Sequence, residues 1–187
     1  MHRVRIGCSG WNYRLRGLAG GLAPFYACLE PLRASGKLGP ILWQLPERVP
    51  RNDERLAAAL AALPPGRHCF ELRHPSWFAP EVYALLRARG AALVIGDHPR
   101  RDFQPHVLTT DWTFVRFHHG RRGRKGNYSG AELAAWARRI AGWRAAHDVY
   151  AYFNNDWLGY AVRNALALRR LVAAASPPGV AEELREG

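Results

Sequence analysis

Lysine is nearly missing from this chain of 187 residues: Lys37 and Lys125 are the only two, and every other basic side chain is arginine or histidine. Cysteine is almost as scarce. Cys8, Cys28 and Cys69 are odd in number and far apart, with no CxxC pair. Neither a disulfide framework nor a cysteine zinc site is indicated, and buried free thiols are the expectation. Acidic residues are few, 15 against 27 lysines and arginines. No apolar run approaches the length of a membrane helix, and residues 1–13 lack the apolar stretch of a signal peptide. A cytoplasmic protein without a membrane partner is expected. The chain also has no GxGxxG after a strand and no Walker-type loop, which counts against a nucleotide-binding sheet.

What remains is a chain that is 48% hydrophobic. This is enough for one domain with a substantial core, expected over residues 1–174, with 175–187 as a loose tail. The formal net charge is +12. Such a balance favours anionic partners, either nucleic acid or a phosphorylated small molecule. The shortage of lysine and the wealth of alanine also fit the coding bias of a GC-rich genome, which produces the same charge without any such partner.

Strand and helix patterns alternate. Val4–Ser9, Ile41–Leu45, Arg67–Arg73, Ala92–Asp97, a segment within Val107–His118 and Val149–Phe153 read as six strands. Between them, Pro24–Ser35 is a helix candidate that Pro31 should break or kink. A helix capped by Asn52 or Asp53 carries an apolar stripe of Leu56, Ala59, Leu60 and Leu63. Another opens at Pro80 and stops at Gly90. Ser129 and Glu132 make a capping box ahead of Leu133, Trp136, Ile140 and Trp143. A last helix spans about Tyr160–Val172. Strands alternating with helices imply a parallel sheet with right-handed crossovers, as a barrel or an open wound sheet.

Ligands of α/β proteins bind at the carboxyl ends of the strands. Each strand here finishes in polar residues: Ser9; Gln44; Glu71 with Arg73 and His74; Asp97; Arg116 with His118; and Asn154, Asn155 and Asp156. Parity sets Glu71 and Arg73 opposite Phe70 and Leu72, and Arg116 and His118 opposite Val115 and Phe117. The apolar set then meets the outer helices while the polar set converges on a mouth. There, Glu71, Asp97 and His118 are candidate acid–base groups. Glu71 paired with Arg73 as a structural ion pair is the plainer alternative. Ser9, Trp11, Gln44, Arg73, His74, Arg116, Asn154, Asn155 and Asp156 are candidate substrate contacts. Arg73 and Arg116 have the forked geometry that grips a carboxylate or phosphate. A divalent metal held by His74, Asp97, His118 and Asp156 is chemically reasonable, but the spacing does not indicate it. The Gly-rich segment Arg121, Arg122, Arg124 and Lys125 overhangs the mouth as an anion clamp or a solvated loop. Trp11, Trp77 and Trp157 follow strand ends, where they form a stacking wall or pack as a lid.

Several motifs resemble the YecE-like family, domain of unknown function 72. They are Gly7-Cys8-Ser9-Gly10-Trp11, Leu38-Gly39-Pro40 through Gln44-Leu45-Pro46, Glu71 through Trp77, Val115-Arg116-Phe117-His118, and Tyr152 through Asp156. The resemblance implies a (β/α) barrel of the TIM type and supplies no activity. It also implies an internal deletion of about two strand–helix units after the first strand. Eight strands close a TIM barrel. Six give an incomplete one, with an open seam beside the first strand through which copies of the chain could associate. Three functional readings follow. One is an acid–base hydrolase or lyase acting on an anionic or phosphorylated substrate. The second is a non-catalytic nucleic-acid-binding module. The third is an inactive remnant of the family.

Overall fold

The computed structural model describes residues 3–8, 18–121 and 126–175. Ser9, Gly10 and Trp11, the loop residues Arg122, Arg124 and Lys125, and the tail 176–187 lie outside the described residues. Six strands form one parallel sheet: β1 (Val4–Cys8), β2 (Ile41–Gln44), β3 (His68–Glu71), β4 (Ala92–Asp97), β5 (Trp112–Phe117) and β6 (Asp148–Phe153). Their order is β1-β6-β5-β4-β3-β2. Five helices follow the strands, one after each except β4: α1 (Leu18–Ala34), α2 (Asp53–Ala62), α3 (Pro80–Ala88), α4 (Gly130–Trp143) and α5 (Tyr160–Ala174).

The strand order follows from the connections. Consecutive strands from β2 to β6 lie side by side, while β1 turns back to pair with β6 in register Val4↔Val149 to Cys8↔Phe153. The first and second strands therefore stand at opposite edges. In a complete barrel the ring would close across them. Here, among the described residues, β1 pairs with β6 alone and β2 with β3 alone. The architecture is an incomplete TIM-type barrel of six parallel strands.

Strand periodicity splits the apolar residues into two layers. Ile95, Val115, Phe117, Val149, Ala151 and Phe153 face outward against α4 and α5. Phe70, Leu72 and Leu93 face outward against α2 and α3. The opposite face carries Cys69, Ala92, Val94, Trp112, Phe114 and Tyr150, which fill the concave side. Each large apolar side chain so buried contributes about 1.5–3 kcal/mol.

Helix punctuation follows the local code. The Asn52 side chain accepts from the Arg55 N–H at 2.8 Å. Ser129 and Glu132 form the complete capping box of α4. Gly90 stops α3 at φ +59°, a left-handed conformation that glycine adopts without strain. Three expectations change. First, α1 begins at Leu18 and passes through Pro24 and Pro31. Each proline costs one ladder bond, and Phe25 and Tyr26 anchor the helix by packing their rings against Trp43 and His68. Second, Cys28 is exposed on that helix, whereas Cys69 is buried. Third, β3 ends at Glu71 instead of Arg73, because the chain leaves the sheet ahead of Pro75.

The β4–β5 connection contains no helix. Thr109 from this loop stands in for a strand: its hydroxyl donates to the Ala91 carbonyl (2.7 Å) and accepts from the Leu93 N–H (2.8 Å). His106 packs against Trp136 and Trp143 of α4.

Candidate functional site

The carboxyl ends of β2, β3, β5 and β6 converge on Glu71. The residue closes β3 on the concave face, and its side chain is only 1% exposed. Arg73, two positions on, donates from Nε to Glu71 Oε1 at 2.8 Å. Arg116, inward-facing near the end of β5, pairs with the other carboxylate oxygen through Nη1. His118 Nε2 meets Oε1 at 3.0 Å. The Gln44 carbonyl oxygen at the end of β2 accepts from both guanidinium groups, at 2.7 Å from Arg73 and 2.9 Å from Arg116. Asn154 completes the ring. With its amide nitrogen on the Phe117 carbonyl (2.8 Å), its oxygen lies 3.1 Å from Arg116 Nη2 and 3.1 Å from His118 Nδ1.

Burial alone would raise the Glu71 pKa. The His118 hydrogen bond and the charges of Arg116, His118 and Arg73 outweigh it, holding the carboxyl well below the usual carboxylate range. Glu71 is thus a fixed anion. One carboxylate faces two guanidinium groups, so the cluster keeps an excess of positive charge. Arg116 Nε is buried and has no hydrogen-bond partner among the described residues.

Six of the candidates read from the sequence meet here: Gln44, Glu71, Arg73, Arg116, His118 and Asn154. The others lie elsewhere. Asp97 has the outward parity of Phe117, and its carboxylate accepts from Trp136 Nε1 of α4 at 2.8 Å. Burial raises its pKa, and the bonds from Trp136 and Tyr128 only partly offset this. His74 caps the short turn Pro75–Trp77, with Nδ1 2.8 Å from Ser76 Oγ. Asn155 is buried and donates to the Gly126 carbonyl at 2.8 Å. Asp156 is exposed and precedes the turn Trp157–Gly159 without a side-chain capping bond. Arg121 is exposed, and its backbone N–H donates to Glu132. Trp77 is buried, with Nε1 donating to the Val49 carbonyl, so it packs rather than offering a stacking face. Ser9, Trp11, Arg122, Arg124 and Lys125 fall outside the described residues.

Two residues of the mouth were not among the candidates read from the strand ends. His98 follows β4, with its ring 6.4 Å from that of His118 and 5.8 Å from that of His119. Burial, then the charges of Arg101, His118 and His119, push its pKa down to about 4. Neutral Nδ1 accordingly accepts from the Arg100 N–H at 3.0 Å. Gln104, from the same loop, is buried and donates to the Leu72 carbonyl at 3.0 Å. The one sequence signal for it was Gly96, a glycine inside a buried strand, which marks close approach by another group. Among the described residues, no group of three or more histidine, cysteine, aspartate or glutamate side chains is placed to hold a metal ion.

A parallel α/β half-barrel with a charged cluster on its strand-carboxyl rim is the class these features define. The family model described as protein of unknown function DUF72 matches residues 12–185, and the chain belongs to that family. Among solved structures, a DUF72 family protein from Thermotoga maritima is similar at TM-score 0.71 and 26% identity, over 82% of this chain. The present chain spans 65% of that protein's length. A DUF72 family protein from Enterococcus faecalis, in two crystal structures, gives TM-scores of 0.70 and 0.69 at 22% identity. Those alignments cover 89% and 86% of this chain, and 70% and 71% of the other, and they bear on the fold alone. No curated protein matches.

Proposed function

We propose that the cluster binds a small anion, a carboxylate or a phosphate, and that His118 exchanges a proton with it in hydrolase- or lyase-type chemistry. The observation that carries this reading is the convergence of Arg73 and Arg116 on a single buried carboxylate that cannot neutralise both. Arginine forks are suited to two-point contact with carboxylate and phosphate oxygens. Glu71, held ionised, orients the imidazole by accepting from Nε2–H, and Nδ1, whose proton is shared with the Asn154 oxygen, is the nitrogen that exchanges a proton with the ligand. Asp97, engaged with Trp136 behind the sheet, has no part in this scheme.

The test is calorimetric titration with inorganic phosphate, alongside NMR of the histidine ring protons. Phosphate is expected to saturate one site and to shift the His118 signals. Arg116→Lys, which keeps the charge and loses the fork, should weaken phosphate binding at least about tenfold. Binding that leaves the His118 signals unmoved would remove the proposal.

The charge of +12, with Arg100 and Arg121 exposed on loops at the strand-carboxyl end, favours a second reading as a nucleic-acid-binding module. Its signature is oligonucleotide affinity that falls steeply with salt, without a saturable phosphate site. A chain that binds neither ligand would match the third reading, an inactive remnant.

A further inference from the structure

Gly96 and Arg116 are register partners on adjacent strands, and Gly96 shares the concave face with Ala92 and Val94. A Cβ built on Gly96 would stand 2.4 Å from Gln104 Oε1 and 3.4 Å from its Cδ. The Gln104 amide therefore fills the place of a missing side chain, on the face that carries Arg116. Its nitrogen is committed to the Leu72 carbonyl, between Glu71 and Arg73. Its oxygen is buried and has no partner among the described residues, and Arg116 Nε is in the same condition.

Buried polar atoms are nearly always hydrogen-bonded, so two unmatched atoms at neighbouring register positions on one sheet face need a cause. The two atoms make opposite demands. Arg116 Nε offers a proton and asks for an anionic oxygen; Gln104 Oε1 asks for a donor. The bond to the Leu72 carbonyl accounts for the amide nitrogen and leaves the oxygen unmatched.

We propose that Gln104 Oε1 and Arg116 form a two-point subsite for a carboxylate that bears an adjacent hydroxyl, a 2-hydroxy acid, the carboxylate meeting the guanidinium and the hydroxyl donating to the amide oxygen. This rests on the anion-binding reading above and narrows its ligand class. Gly96 is the enabling residue, because any side chain there would displace the amide. Gln104 is a specificity residue that selects the ligand by its hydroxyl.

The test compares glycolate with acetate, which differ by that hydroxyl, in calorimetric titrations of the full chain at constant ionic strength. Wild type should bind glycolate about tenfold tighter than acetate, the effect of one hydrogen bond to a buried acceptor. In Gln104→Met the ratio should collapse towards one. Gly96→Ala, which drives the amide off its seat, should collapse it as well, and serves if Gln104→Met does not fold. Equal binding of the two acids by wild type, or a preference that survives in the folded variant, would overturn the subsite. Failure of acetate, glycolate and phosphate alike to bind would instead strike at the anion-binding reading and take the subsite with it.

Discussion

Glu71 sits where three donors meet a single carboxylate, so removing its charge tests the cluster most directly. In Glu71→Gln, two largely buried guanidinium groups would face a neutral amide. Breaking a buried pair in this way costs about 3–5 kcal/mol, measurable by urea unfolding at pH 7. The pH dependence has a definite sign. The folded carboxyl titrates below its ordinary value of 4.5. Its stabilisation is therefore complete above that pH and is lost as pH falls through the lower folded value. The variant should show a flatter acid limb than wild type in a plot of unfolding free energy against pH. At this scale the sequence was informative wherever strand parity alone decides. Glu71, Arg116 and His118 were assignable to the concave side because their neighbours Phe70, Val115 and Phe117 are apolar. Asp97 was not: it is the polar end of a strand whose last outward position happens to meet an indole nitrogen, and nothing in the spacing of residues 92–97 foretells Trp136.

Elements whose limits are set by neighbouring residues were the most legible. Ser129, Glu132, Asn52 and Gly90 act within a turn of their own helices, so their roles appear in the sequence directly. Replacing Ser129 by alanine removes the hydroxyl that accepts from the Glu132 N–H. It is expected to cost about 1 kcal/mol, seen as a lowered melting temperature with the fold retained. The elements misjudged are those decided by distant contacts. Helix α1 runs through two prolines, where local propensity argues for a break. Gln104 comes to the mouth only because the helix-free connection after β4 folds back over the strand ends. A loop rich in arginine gives no sign that its one glutamine is buried.

For the whole molecule, alternation of elements gave the parallel sheet but did not decide between a barrel and an open sheet; the family resemblance, with six strands counted where a ring needs eight, gave the incomplete barrel. Its edges carry a consequence that any solution measurement can reach. A strand with one ladder unfilled is a template for another chain. Among the described residues both β1 and β2 are such strands. The protein is expected to associate as its concentration rises, with a weight-average sedimentation coefficient that increases across a dilution series. A coefficient constant over that series would mean that the edges are covered.

The unclosed sheet also bears on how the mouth keeps its width. A complete ring has a girth fixed by strand number and stagger, whatever its rim carries. An arc has no hoop, so the span between its arms depends on what is tied across it. Gln44 and Asn154 lie towards opposite arms, and both reach Arg116, which makes that guanidinium the cross-brace of the opening. A guest gripped there would stiffen the arc as well as fill it.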